Sequence, residues 1–205
     1  MKRTFWAFAA LIIPLITTAE NNNTFSSYTV GFSITKPEQW HFISAAANAD
    51  NLNNVRIQDE KFQKIMQKYA TVPLVIMTKF MEPYDDLNPS VKVNIKPLGN
   101  MDGENPVNIM KIIIKQFPRI LKNYVEMQSP VEREIAGSKA AYMKAYYSVE
   151  NSAGRTFRVC SELWIIPRGK FFFLIGIGTK QDSDKNELQE IANIISSIKI
   201  DKEFN

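Results

Sequence analysis

Residues 171–175 read Phe-Phe-Phe-Leu-Ile, five apolar side chains in succession. A strand sends alternate side chains to opposite faces, so such a run leaves neither face for water. It requires a central strand in a sheet covered on both sides. The flanking residues supply its neighbours. Ala140 to Val149 and Arg155 to Ile166 read as strands joined through Asn151-Ser152-Ala153-Gly154, and Pro167-Arg168-Gly169 turns the chain into Lys170 to Thr179. Val131 to Ile135 precedes them, ending at the Gly137-Ser138 turn. Short turns between apolar runs make antiparallel hairpins. Gly176 and Gly178 fall on one face of the central strand and predict close packing of a helix there.

The earlier chain supplies further elements. Tyr28 to Thr35 alternates Tyr28, Val30, Phe32 and Ile34 with polar or small residues. After Lys36-Pro37-Glu38-Gln39 it is expected to form a hairpin with a strand opening at Trp40. Ser44 to Asn54 is rich in Ala, Asn and Asp and reads as a loop or a helical lead-in. From Asp59, Phe62, Ile65, Met66 and Tyr69 recur at helical spacing, with Lys61, Lys64 and Lys68 on the other side. Val72 to Met81 reads as a strand. Val91, Val93 and Ile95 alternate with Lys92, Asn94 and Lys96, the pattern of a half-buried strand with its polar side in water. Asn105-Pro106 opens a helix, with Asn as cap and Pro where its missing N–H costs little. Met110, Ile113, Ile114, Phe117, Leu121 and Tyr124 form the buried stripe, kinked or split at Pro118. Ser183-Asp184 caps a last helix carrying Leu188, Ile191, Ile194, Ile195 and Ile198. Helices before, within and after an antiparallel strand run predict one α+β domain.

The amino terminus is an address. Met1-Lys2-Arg3 is basic, Thr4 to Ile16 is almost wholly apolar, and Thr17 and Ala19 place small residues three and one positions before Glu20. That order predicts a signal peptide over residues 1–19 cleaved near Ala19, and a periplasmic or secreted mature protein. The apolar run of about 13 residues is short of the roughly 20 that span a bilayer. Residues 20–27 are expected to be a disordered lead, 28–200 the domain, and 201–205 a polar tail. The full chain carries 25 basic and 21 acidic residues, net +4; loss of Lys2 and Arg3 leaves 23 basic residues and +2. So nearly balanced a charge argues against nucleic-acid binding.

One Cys and one His exclude an internal disulfide, a Cys/His zinc cluster and any mechanism using two imidazoles. Cys160 lies in an apolar strand pattern and is expected to be buried. There is no GxSxG elbow to serve His41, and no Walker A loop, GxGxxG or HExxH. Asp85, Asp86 and Asn88 gather oxygens in one loop that could interest calcium, and Asp102, Glu104 and Asn105 do so in another. The strand between them holds the loops roughly 25 Å apart, and turn formation explains these residues as well. No cofactor is expected.

Two surfaces remain as candidates. Lys111, Lys115, Arg119 and Lys122 recur at i, i+4, i+8 and i+11, a basic helical face suited to an acidic protein or an anionic membrane surface. Tyr142, Tyr146 and Trp164 lie on neighbouring strands, packed across the sheet or lining a groove for a small hydrophobic ligand or lipid.

The run GFSITKPEQW (Gly31 to Trp40), the later EIAGSKAAYMKAYYS (Glu134 to Ser148), the hairpin from Arg155 to Thr179 and the final SSIKI (Ser196 to Ile200) together resemble the PsbP/DcrB-like superfamily, over about residues 28–200. The resemblance implies an α/β/α sandwich around an antiparallel sheet. Members of the superfamily are mostly non-catalytic: a photosystem extrinsic subunit, Ran-binding proteins, bacterial envelope proteins and secretion chaperones. None of their functional residues matches a position here. The combined expectation is an exported, non-catalytic accessory protein that binds an unidentified envelope or secreted partner, with a ligand- or lipid-binding module as the alternative.

Overall fold

The computed structural model describes residues 23–44, 55–56, 73–151 and 153–201. The signal segment, the basic helix from Asp59, most of 44–58 and residues 202–205 lie outside them. The strands are β1 (Thr24–Ser27), β2 (Phe32–Thr35), β3 (His41–Phe42), β4 (Val55–Arg56), β5 (Pro73–Thr78), β6 (Ser90–Pro97), β7 (Lys122–Ile135), β8 (Ser138–Asn151), β9 (Thr156–Arg168), β10 (Phe171–Lys180) and β11 (Lys199–Ile200). The helices are α1 (Pro106–Ile114), α2 (Phe117–Ile120) and α3 (Lys185–Ser196), with a 3-10 turn over Gly99–Met101.

β10 lies between β6 and β9, antiparallel to both, as its apolar run requires. The large sheet runs β3-β5-β6-β10-β9-β8, with β7 and β4 on the outer side of β8. Phe173 and Phe172 go to opposite faces and into separate cores. Phe173, Ile175 and Ile177 pack with Val91, Val93, Ile191, Ile194 and Ile198, beneath α3 and the small sheet β1-β2-β11. Phe172 packs with Ile109, Met110 and Ile114 of α1 and with Ala141, Met143 and Ile165. Helices on both faces of an antiparallel sheet make this an α+β sandwich.

Three local expectations are corrected. The lead is a strand from Thr24, and Thr24↔Thr35 and Ser27↔Phe32 pair in a tight hairpin whose turn takes up the first half of the alternating Tyr28–Thr35 run. Four apolar positions at period 2 do not reveal that Tyr28–Gly31 is a turn, and Tyr28 is 84% exposed. Nor does the strand after Trp40 pair with β2: β3 joins β5 in the other sheet, through His41↔Thr78. Trp40 itself is fully buried where the chain crosses between the two sheets. The helix after Asn105 divides earlier than its periodicity suggests. Asn105 Oδ1 accepts from Val107 N at 2.8 Å as the cap, but α1 ends at Ile114 and Pro118 sits in the first turn of a separate α2. Leu121 is already extended, so Tyr124 belongs to β7.

β7 begins nine residues before its expected start at Val131. Its register against β8 shifts in three places, which breaks the alternation that would have revealed it. Bulges, Pro130 and charged residues on this outer strand also discourage another strand from pairing with it.

Candidate functional site

The four basic residues are exposed, as their spacing suggests, but they do not share one helix. Lys111 lies on α1, Lys115 caps it, Arg119 lies on α2 and Lys122 opens β7. The regular i, i+4 spacing therefore holds only from Lys111 to Lys115, and the tertiary fold sets the positions of the other two. Among the described residues none of the four has a hydrogen-bonding or ion-pairing side-chain partner. Several other described cations are ion-paired: Lys79 with Glu187 and Glu190, Lys144 with Glu162, Lys170 with Asp102, and Lys180 and Arg155 with Asp86. Beside Lys111 stands Ile112, 55% exposed, a large apolar side chain on the outer face of a helix whose inner face is Ile109, Met110 and Ile114.

The aromatic trio lies on the sheet face opposite α1. Tyr142 is directly across from Trp164, and their rings are 4.8 Å apart and tilted by 51°. Tyr146 lies across from Cys160, two rows on. The row between holds Lys144 and Glu162, joined at 3.2 Å. Burial, with Glu162 adding to it, holds the Tyr142 phenol well above its ordinary range. The Trp164 indole N–H is buried without a hydrogen-bond partner. Cross-strand packing accounts for Tyr142 and Trp164; Tyr146 stands apart from the pair.

Potential reactive groups are placed where reaction is disfavoured or where they already have partners. Cys160 is buried as expected, and burial pushes its thiol pKa up, away from the nucleophilic thiolate. His41 is half-buried on the two-residue strand β3. In the Asp85–Asn88 loop, Asp86 binds Lys180 and Arg155 and accepts from Leu87 N, and its carboxyl pKa is lowered, chiefly by Lys180. Asn88 bridges the backbone of Phe80 and reaches Glu82 at 2.9 Å. These contacts engage Asp86 and Asn88 in bracing the chain, while Asp85 is exposed. The tip presents Met81, 69% exposed, and a Phe80–Tyr84 stack with centroids 4.5 Å apart. In the second loop Asp102 binds Lys170 and Asn105 caps α1.

One residue escaped the sequence reading. The alternation of β6 assigns Lys92 to water, yet burial lowers its ammonium pKa to about 8. Ile76 of β5 and Gly176 of β10 flank it in register, and Leu163 lies beyond Gly176. The one sequence signal was the pair Gly176 and Gly178, which leave no side chain of β10 at two positions on this face. Among described atoms, a Cβ at Gly176 would meet only Leu163 Cδ2, at 3.6 Å, and one at Gly178 only Ser90 Oγ, at 3.4 Å. The helix packing expected from these glycines thus involves no described residue.

No family model and no curated protein matches the chain. Solved structures do. One is a Bacteroides thetaiotaomicron protein, with 15% identity over 89% of this chain and 50% of that one and a TM-score of 0.48. The chain therefore spans half the length of that protein. Another is a cyanobacterial PsbP from Synechocystis, with 11% identity over 87% and 91% of the two chains and a TM-score of 0.48. A third is the Saccharomyces cerevisiae Ran-binding protein Mog1p, with 11% identity over 88% and 95% and a TM-score of 0.47. At these identities and TM-scores each is a likeness of chain course alone.

Proposed function

We propose that this is an exported, non-catalytic accessory protein that binds an acidic protein partner in the cell envelope or outside it, through Lys111, Lys115, Arg119 and Lys122 around Ile112. The observation that carries the reading is the charge of these four exposed side chains, unmatched among the described residues, with exposed Ile112 next to Lys111 on α1. Unpaired surface cations raise encounter rates with an acidic partner, and an apolar side chain among them supplies area that excludes water on contact. The protonated, buried thiol of Cys160 and the internal engagement of Asp86 support a binding role over a chemical one. The signal-like first nineteen residues support export.

A photo-crosslinking amino acid at position 112, in the protein expressed with its own leader, tests this. The expected result is a discrete cross-linked species that weakens at about 0.5 M salt, where the Debye length falls to a few ångströms. It should vanish in Lys111→Glu/Lys115→Glu/Arg119→Glu. A species unchanged by salt and by charge reversal refutes the basic face as the contact. Transfer of the protein to anionic vesicles, with no protein cross-link, replaces the partner with a membrane surface. Mass spectrometry of the mature chain tests export: an amino terminus at Glu20 supports it, and retention of Met1 to Ala19 in the cell refutes it.

A further inference from the structure

Two exposed surfaces of opposite charge lie at one end of the large sheet. The first is the loop after β5. Phe80 and Met81 are exposed there, and Tyr84 stacks on Phe80. The free charge around them is negative. Asp85 is exposed, and among the described residues its carboxylate has no partner. Glu82 accepts from Tyr84 N at 3.0 Å and Asn88 Nδ2 at 2.9 Å, and no described cation pairs with it. Lys79, Lys180 and Arg155 at the base of the loop are already engaged, the first by Glu187 and Glu190 and the others by Asp86. The second surface is the basic one around Ile112. Each has an apolar centre, and each carries the charge that complements the other.

The strand register fixes where they stand. The loop leaves the sheet beyond the Thr78↔Ser90 row, which continues through Gly178 to Ser161. Lys122 lies across from Ser148, and Ser148 from Arg158, three residues nearer the loop's end of β9 than Ser161. α1 runs toward the same end: Asn105 at its start reaches Glu132, and Phe117 just beyond it meets Tyr124. Four strand spacings, roughly 19 Å, separate β6 from β7. Side by side at one end, and too far apart to meet within one chain, the two surfaces can meet across a two-fold axis. Each copy's loop then sits on the other's basic face, and the contact is made twice. We infer that the acidic partner of the basic face is a second copy of this chain. Met81 and the Phe80–Tyr84 stack lie against Ile112, and Glu82 and Asp85 lie among Lys111, Lys115, Arg119 and Lys122. The apolar centre excludes water, and the charges fix the register. This pairing rests on the reading of the basic face as a contact surface and assigns its partner.

Sedimentation equilibrium of the full mature chain tests it. A dimer is expected at low salt, with its dissociation constant raised at least tenfold at about 0.5 M salt. Lys111→Glu/Lys115→Glu/Arg119→Glu and Met81→Lys/Asp85→Lys should each be monomeric alone, because each sets like charges against one another. Mixed, the two variants should dimerise again: reversed charges meet in one contact and native charges in the other. All five side chains are exposed, and wild-type far-UV circular dichroism shows that each variant is folded. A wild type that stays monomeric at low salt, a dimer that survives both reversals, or a mixture that stays monomeric overturns the proposal. The photo-crosslinker at position 112 separates this pairing from the reading it rests on. Two copies joined at the Phe80–Tyr84 loop support the dimer. A salt-sensitive product with a different protein overturns the dimer and leaves the basic face as a contact surface.

Discussion

Replacing Lys92 by Met should make the protein more stable, by an amount that depends on pH. The folded amine titrates near 8, against 10.5 for an ordinary lysine. The difference corresponds to roughly 3 kcal/mol of preference for the unfolded state when the amine is charged. Below pH 8 the amine is protonated in both states and the whole penalty is present. Between 8 and 10.5 the folded state has released its proton and the unfolded state has not, so the penalty shrinks as pH rises. Above 10.5 both are neutral and it is gone. Met keeps most of the chain length, and its thioether needs no counter-ion beside Ile76 and Leu163. Urea unfolding at pH 7 should therefore place Lys92→Met about 3 kcal/mol above wild type, or about 6–12 °C in melting temperature for a domain of this size. At pH 9.5 the gap should fall to about 1 kcal/mol. A gap that stays constant with pH, or a variant less stable than wild type at pH 7, would refute the reasoning that this ammonium is buried and uncompensated.

Other tests address the scaffold. Glu190 accepts from Trp40 Nε1 at 3.0 Å and Gln39 at 2.9 Å and pairs with Lys79 at 3.1 Å, tying α3 to the start of β3 and the end of β5. Although burial opposes ionisation, these bonds hold the Glu190 carboxyl below its ordinary value. The stability they confer is present above the usual carboxylate range and lost as pH falls through the lowered value; Glu190→Gln should cost about 1–3 kcal/mol at pH 7 and flatten the acid limb of a Trp-fluorescence unfolding profile. Phe173→Ala, at a fully buried position in the α3-side core, should cost about 3–5 kcal/mol in urea unfolding. Cys160 should resist a charged thiol reagent in the native protein and react in urea; fast native labelling, followed by absorbance of the released thiol group, would contradict its burial.

Elements with one dominant signal were legible in the chain. The Phe171–Ile175 run has a single stable location, between two strands and under two layers. Asn105-Pro106 and Ser183-Asp184 mark helix starts because capping is a local event, and Asp184 does accept from Glu187 N at 2.8 Å. The exposure of Lys111 and Lys115 follows from the apolar stripe opposite them. Elements whose identity depends on distant partners were not legible. β7 is a strand because β8 holds it, despite three register shifts. Trp40 opens a strand in the large sheet, although the residues just before it belong to the small one. Arg119 and Lys122 lie on α2 and β7, so their positions relative to Lys111 and Lys115 come from the tertiary fold and not from the spacing.

Lys92 shows most plainly where local pattern stops. Period-2 alternation separates the two faces of a strand, and that is a property of the backbone that the residues themselves determine. Whether the polar face meets water or another layer depends on what the rest of the chain places over it. A lysine between two valines specifies a side, while its desolvation, and the unmatched charge that follows, is a property of the folded surroundings and not of the alternation.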